Sequence, residues 1–326
     1  MSAIANVAIH SSQFPEQVRR DLLDSLRLGR IAHKFHYDSV KQTQKWLALH
    51  QQYSPSRNDD NCRAIYERSL EAAARIVKSR KFQVIGLGCG GGQKDTRLLK
   101  ELKPRTKELF YTPCDVAAAM VLTARKTALR VLSQKKIFPL VCDLQTADDL
   151  PAVLNRLPPA RAGRIVTFFG MIPNFEPREI LPKLASLVRP GDRLLLSANL
   201  APGDNYTTGM KLILPQYDNP PTRDWLLTFL TDLGISKVDG RLLFEIEQDK
   251  NGLNRIAAHF RFTRARQIKL DDKPFAFKAG QAIRLFFSYR FTPERVHALL
   301  AAHKLKIQEQ WITGSQEEGV FLCTLA

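Results

Sequence analysis

Phe82-Gln83-Val84-Ile85-Gly86-Leu87-Gly88-Cys89-Gly90-Gly91-Gly92-Gln93-Lys94 decides the fold, because it runs an apolar strand into a helix through five glycines in seven positions. Glycine tolerates positive φ and lets a ligand approach the backbone with no Cβ in the way. A helix beginning near Gln93 offers unpaired N–H groups at its mouth. Such a turn cradles a nucleotide. So many glycines in so short a span lose too much chain entropy on folding to serve only as a connection.

Two nucleotide patterns overlap in the turn. Gly86-x-Gly88-x-x-Gly91 satisfies the dinucleotide fingerprint, while Gly88-x-Gly90-x-Gly92 fits the loop of S-adenosylmethionine-dependent methyltransferases. A dinucleotide site needs an acid roughly 20 residues further on to hold the ribose. The first acid that closes an apolar run is Asp115, in Leu109-Phe110-Tyr111-Thr112-Pro113-Cys114-Asp115-Val116, which is late for that role. A second closes the next run, Ile137-Phe138-Pro139-Leu140-Val141-Cys142-Asp143-Leu144. Two successive strand-end acids suit an adenosine read at its ribose and then at its adenine, so the methyl donor is favoured. A nicotinamide-dependent oxidoreductase and a non-catalytic cofactor-binding scaffold are the alternatives.

The chain has 326 residues, of which 44% are apolar and 25% charged, an ordinary globular composition. No apolar run approaches the roughly 20 residues of a membrane-spanning helix, and the start lacks the basic flank and apolar core of a secretory signal. A cytoplasmic protein with no membrane partner is expected. The five cysteines are scattered without C-x-x-C spacing, and the histidines show no metal spacing, so reduced thiols and no metal are expected. The net charge is +17, yet it is dispersed among short groups such as Arg19-Arg20, Lys135-Lys136 and Arg261 to Arg266. That reads as a solvated basic surface, with no specific nucleic-acid partner. The oligomeric state is not legible.

From Phe82 the chain alternates: strand 83–88, helix 93–103, strand 108–114, helix 116–132, strand 137–142, a helix near 146–156, strand 164–169, helix 177–188, strand 192–199. Alternation on this scale means right-handed βαβ units and a parallel sheet covered on both faces. Ligands bind beyond the carboxyl ends of such strands, where Gly88, Asp115, Asp143 and Gly170 all fall. Helices over 13–29 and up to His50, and another capped by Asn58 or Asp59, precede this series. After it, 206–234 reads as helical with a break at 215–221. Strands follow at 241–247, 255–264, 266–270 and 281–289, then helix 292–303 and strands near 305–313 and 319–325. The expected organisation is an N-terminal helical segment over 1–60, a Rossmann-like α/β domain over 61–200, and a mostly antiparallel α+β substrate subdomain over 201–326 that returns to the main sheet.

In this order the motifs resemble the S-adenosylmethionine-dependent histidine Nα-methyltransferases of ergothioneine biosynthesis. The resemblance covers about residues 35 to 312 and rests on Tyr37-Asp38, Tyr53-Ser54-Pro55-Ser56-Arg57, Leu87-Gly88-Cys89-Gly90 with Lys94, Cys114-Asp115-Val116 and Cys142-Asp143-Leu144. It continues through Phe168-Phe169-Gly170 leading to Asn174, Arg189-Pro190-Gly191-Asp192, Tyr217-Asp218, and the stretch from Phe275 to Thr292. It implies S-adenosyl-L-methionine as cofactor, held by Tyr53, Gly88, Cys89, Gly90, Lys94, Asp115, Val116, Asp143, Leu144 and Gly170. It also implies that Asn174 and Tyr217 hold the backbone of a small amino acid or related amine, with Tyr53, Phe286 and Ser288 at the same site.

The departures are as informative. Gly86 stands where the family closes its first strand with an acid placed near the cofactor's amino-acid end. Leu285-Phe286-Phe287-Ser288 stands where the family has Thr-Glu-Ile-Ser, whose glutamate and serine hold the imidazole of histidine. The serine stays and the glutamate becomes Phe286, so the acceptor is expected not to be histidine itself. His259 or a neighbour stands for a methionine of that site. Methyl transfer is an in-line displacement that needs an unprotonated nucleophile about 3 Å from the methyl carbon. Tyr37, Tyr53 and Asn174 are therefore read as groups that orient an amine, without a designated general base.

Overall fold

The computed structural model describes residues 4–53, 58–77, 81–159, 162–270 and 272–326. Strand β1 (Ala8–Ile9) is followed by helices α1 (Pro15–Leu28), α2 (Val40–Tyr53) and α3 (Asp60–Arg75). Strands and helices then alternate: β2 (Lys81–Leu87), α4 (Gln93–Leu102), β3 (Glu108–Asp115), α5 (Ala118–Ala128), β4 (Leu140–Val141), α6 (Leu150–Arg156), β5 (Gly163–Phe168), α7 (Pro177–Leu187) and β6 (Arg193–Asn199). Helices α8 (Tyr206–Tyr217) and α9 (Pro220–Asp232) lead into β7 (Gly240–Gln248), β8 (Asn254–Phe262), β9 (Arg266–Leu270), β10 (Lys273–Phe277) and β11 (Ala282–Arg290). The order closes with α10 (Pro293–Ala302), β12 (Leu305–Ile312) and β13 (Glu318–Leu325).

The chain divides into two compact units, one of residues 1–14, 55–200 and 292–326, the other of residues 15–54 and 201–291. The first is built on an eight-stranded sheet in the order β1-β4-β3-β2-β5-β6-β13-β12. Strands β1 to β6 pair in parallel, while β13 runs antiparallel to β6 and to β12. Val84, Ile85, Tyr111, Ile165 and Leu195 are fully buried, as strands covered on both faces must be. β2 lies between β3 and β5, where the strand order reverses, and its carboxyl end therefore opens into the crevice such sheets use for ligands. This is a Rossmann-like α/β sheet.

The second unit carries the antiparallel sheet β11-β8-β7 and the hairpin β9-β10. Its core gathers Leu26 of α1, Trp225 and Phe229 of α9, and Phe260, Phe262, Ile283 and Phe286 of the sheet. Lys45 bridges α2 to Asp224 of α9 at 2.5 Å.

Three expectations need correction. The strand over 137–142 is reduced to Leu140–Val141, with Ile137 making only an isolated bridge to Tyr111, since Pro139 has no N–H to give a ladder. The break between α8 and α9 is two residues, not 215–221: Pro215 continues α8, and Asn219 caps α9 by accepting from the Thr222 N–H. β1 and β10 were not expected, β1 being too short to show a period and β10 opening on Lys273-Pro274.

Candidate functional site

Within the first unit the glycine turn is shaped by close approach. Gly92, at φ +72° as the N-cap of α4, would place a Cβ 2.7 Å from the Cα of Ala124, so only glycine lets α4 start against α5. Asp115 closes β3 and takes the Gly90 N–H on Oδ2 at 3.0 Å and the Ala117 N–H on Oδ1 at 3.1 Å. Burial pushes its carboxyl above the ordinary range, opposed by the N–H groups of Ala117, Gly90 and Val116. A carboxylate has about four acceptor sites, so it holds the turn and can still receive hydroxyls. Cys89 lies in the turn as a thiol that burial pushes well above its usual range.

Asp143 follows β4 and is buried beside Leu144. Its N–H donates to Ser12 Oγ at 3.0 Å, Ser12 meets the His10 ring at 2.8 Å, and His10 Nε2 meets Asp149 Oδ1 at 2.8 Å. His10 and Ser12 carried no sequence signal, because only β1 alongside β4 brings them there. Gly170 follows β5, and its N–H donates to Ser197 Oγ at 2.8 Å. Ser197 also accepts from Tyr66, whose ring lies 3.8 Å below the Lys94 ammonium. Asn174 ends a one-turn 3-10 helix, Ile172–Asn174. The N-cap position of α7 is Glu176, two residues further on.

In the second unit Tyr217, Phe286 and Ser288 meet. Tyr217 Oη lies 2.9 Å from Ser288 Oγ and accepts from Arg290 Nε at 3.2 Å and Nη2 at 3.1 Å. Its ring is 6.1 Å from Phe286, which lies 6.0 Å from Trp225, and Trp225 lies 5.6 Å from Tyr37. Tyr53 ends α2 and is 46% exposed, and the rest of its motif, residues 54–57, lies outside the described residues. Arg290 was missed, although Phe286, Ser288 and Arg290 alternate along one strand and so share a face.

Which face they share is set by a bulge. Arg284 pairs with His259 but Phe286 pairs with Ala258, leaving Leu285 as the extra residue. His36 Nε2 donates to the Leu285 carbonyl at 2.6 Å, while Arg284 exchanges backbone bonds with Gly29 and Ile31 at 2.9 Å. Burial holds the His36 pKa down to about 4, so the ring is neutral and the donor is a fixed tautomer. Beyond the bulge, Phe286, Ser288 and Arg290 stand opposite Ala258, Ile256 and Asn254, whereas His259 stands with Arg284 on the other face. His259 is therefore not beside Phe286 and Ser288: its Nε2 meets Glu247 Oε1 at 2.7 Å. His33 packs edge-on at 5.2 Å from Phe286 and 5.0 Å from Phe287. Its ring faces the Phe287 backbone without closing a hydrogen bond, and burial, then His36 and Arg284, push its pKa down to about 3.

Among known proteins, the family model described as "Histidine-specific methyltransferase, SAM-dependent" matches residues 17–233 and 238–325. The chain is 26% identical over 325 residues to the histidine N-alpha-methyltransferase of Mycobacterium tuberculosis (strain CDC 1551 / Oshkosh), covering 95% of this chain and 94% of that protein. A solved putative methyltransferase from Thermobifida fusca YX is similar with a TM-score of 0.47 at 10% identity, covering 92% of this chain and 97% of that one. The Burkholderia thailandensis 1,6-didemethyltoxoflavin-N1-methyltransferase, solved with S-adenosylhomocysteine, gives 0.42 at 12% identity, with 87% of each chain covered. The glycine turn after β2 and the strand-end carboxylate of Asp115 fit S-adenosylmethionine, the methyl donor of the family. The chain belongs to the S-adenosylmethionine-dependent, histidine-specific methyltransferase family.

Proposed function

We propose that this methyltransferase acts on the amino nitrogen of a free α-amino acid or related amine whose side chain is apolar or aromatic, and not on histidine. The observation that carries this reading is the contact set of Phe286: aromatic rings of Tyr217, Trp225 and His33 surround it, where the family resemblance would have a carboxylate. A buried imidazole N–H left without that carboxylate loses about 1–3 kcal/mol. An aromatic side chain instead gains roughly 25 cal/mol per Å² of apolar area removed from water. The Tyr217–Ser288 pair, with Arg290 donating to the tyrosine, supports an amino-acid acceptor because it supplies hydroxyls and a guanidinium to a carboxylate.

Asn174 and Tyr217 hold the acceptor's backbone in this reading, and Tyr37 and Tyr53 orient its amine after the ammonium has lost its proton to water. S-adenosylmethionine, when bound, supplies an electrophilic methyl on sulfur. Asp115 takes the ribose hydroxyls, with Val116 beside it. Asp143 and Leu144 take the adenine, and Gly88, Cys89, Gly90, Lys94 and Gly170 line the path of the donor. In this reading residues 15–54 and 201–291 are the acceptor-side unit, and residues 1–14, 55–200 and 292–326 the donor-side unit.

The test is a screen of free amino acids and amines with S-adenosylhomocysteine release as readout. Aromatic amino acids are expected to exceed histidine in kcat/KM, and Phe286→Glu is expected to move the ratio about tenfold back toward histidine. Histidine as the best wild-type substrate would refute the specificity argument.

A further inference from the structure

Gly86 has no room for a side chain. A Cβ built on it would lie 2.0 Å from Asp95 Oδ2, 2.9 Å from Asp95 Cγ and 3.2 Å from the Tyr111 hydroxyl. The space is taken by a carboxylate that comes from the first turn of α4 and is only 3% exposed. Its Oδ2 accepts from Tyr111 Oη at 2.6 Å and its Oδ1 from Thr167 Oγ1 at 2.7 Å. Tyr111 belongs to β3, and Thr167 of β5 is the register partner of Gly86. The carboxylate thus bridges the two strands that flank β2, at the reversal of strand order and just before the glycine turn.

Among the described residues the hydrogen-bond partners of Asp95 are two hydroxyls, and the cation that acts on it, Lys94, also has its ammonium over the Tyr66 ring. A buried carboxylate is costly, and burial outweighs what the two hydroxyls and Lys94 give back, pushing the Asp95 carboxyl above its ordinary range. The chain nevertheless keeps it, and keeps a glycine at 86 to admit it. We propose that Asp95 is the transposed carboxylate of this cofactor site, delivered from the helix through the opening at Gly86, and that it positions the turn and the α-ammonium of the amino-acid end of S-adenosylmethionine. Asp95 is a positioning residue, acting through Tyr111, Thr167 and the turn. The inference holds whatever the acceptor is, and it explains how the site works without the acid that the first strand lacks.

The test uses the whole chain with two ligands, S-adenosylhomocysteine and 5′-methylthioadenosine, the second lacking the amino-acid end. Asp95→Asn preserves shape and removes charge. It is expected to weaken S-adenosylhomocysteine by about tenfold while leaving methylthioadenosine within about twofold. Equal losses for both ligands, or none for either, would overturn the proposal, because a purely structural carboxylate does not distinguish them. Transposing the acid back decides the matter if Asp95→Asn does not fold. Gly86→Asp alone collides with Asp95 and loses binding, whereas Gly86→Asp combined with Asp95→Ala is expected to bind S-adenosylhomocysteine within about threefold of the parent protein. A double variant no better than Asp95→Ala overturns it equally.

Discussion

In the first unit the turn from Gly88 to Gly92 is packed too closely for a Cβ at Gly88, Gly91 or Gly92, and it is pinned by one carboxylate at Asp115, which accepts the Gly90 N–H. In the second unit the face of β11 that carries Phe286, Ser288 and Arg290 offers side chains alone, sorted by a bulge. The first kind of surface depends on glycine conformations that are local, so it tolerates little change and serves one ligand. The second depends on which side chain occupies a position that the register has already chosen. Under the proposed function, a single replacement at position 286 is enough to change the ligand while the scaffold stands.

That comparison breaks most visibly at Gly92. Gly92→Ala places its Cβ against the backbone of α5 as well as in a left-handed conformation, and S-adenosylmethionine affinity is expected to fall about 100-fold or the fold to be lost. Titration calorimetry with a thermal melt reads both, and unchanged affinity would show that the turn is not the cradle. Asp115→Ala comes next, at about tenfold weaker donor binding, because it releases the Gly90 and Ala117 N–H groups and the acceptor sites for the ribose.

The second unit yields to a subtler change. His36→Leu strips the hydrogen bond from the bulge carbonyl, which costs about 1–3 kcal/mol of stability. Several-fold higher acceptor KM with unaltered donor affinity is the expected kinetic result. A variant that melts earlier but keeps its acceptor KM would show that the bulge does not set the reading face. The smallest effect is at Glu247, whose carboxyl is held down to about 2, first by the hydrogen bond from His259 and then by Arg255. Its contribution is complete above the ordinary value of 4.5 and is lost as pH falls from there through about 2. Glu247→Gln should lower stability near neutral pH by about 1 kcal/mol after allowance for solvent screening. The gap between the two melting curves should close toward the acid end of that window.

The glycine turn and the acid that closes β3 were legible because each of these marks is local. Glycines of positive φ and an acid at the end of an apolar run say where the chain turns and what it offers. Asp95 escaped notice although it stands next to Lys94, since nothing local says that a helix carboxylate fills the space over a strand glycine. His10 and Ser12 escaped for the same reason, being brought to Asp143 only by the pairing of β1 with β4.

The sequence by itself determined the parallel sheet, the order of its strands' motifs and the glycine turn, because apolar periodicity and glycine conformation act within a few residues. Only the tertiary structure decided which face Phe286 and Ser288 occupy and which residues stand beside them. An alternating strand reads the same with either face inward. The choice rests on one extra residue, Leu285, whose carbonyl is held by His36 from 249 residues away.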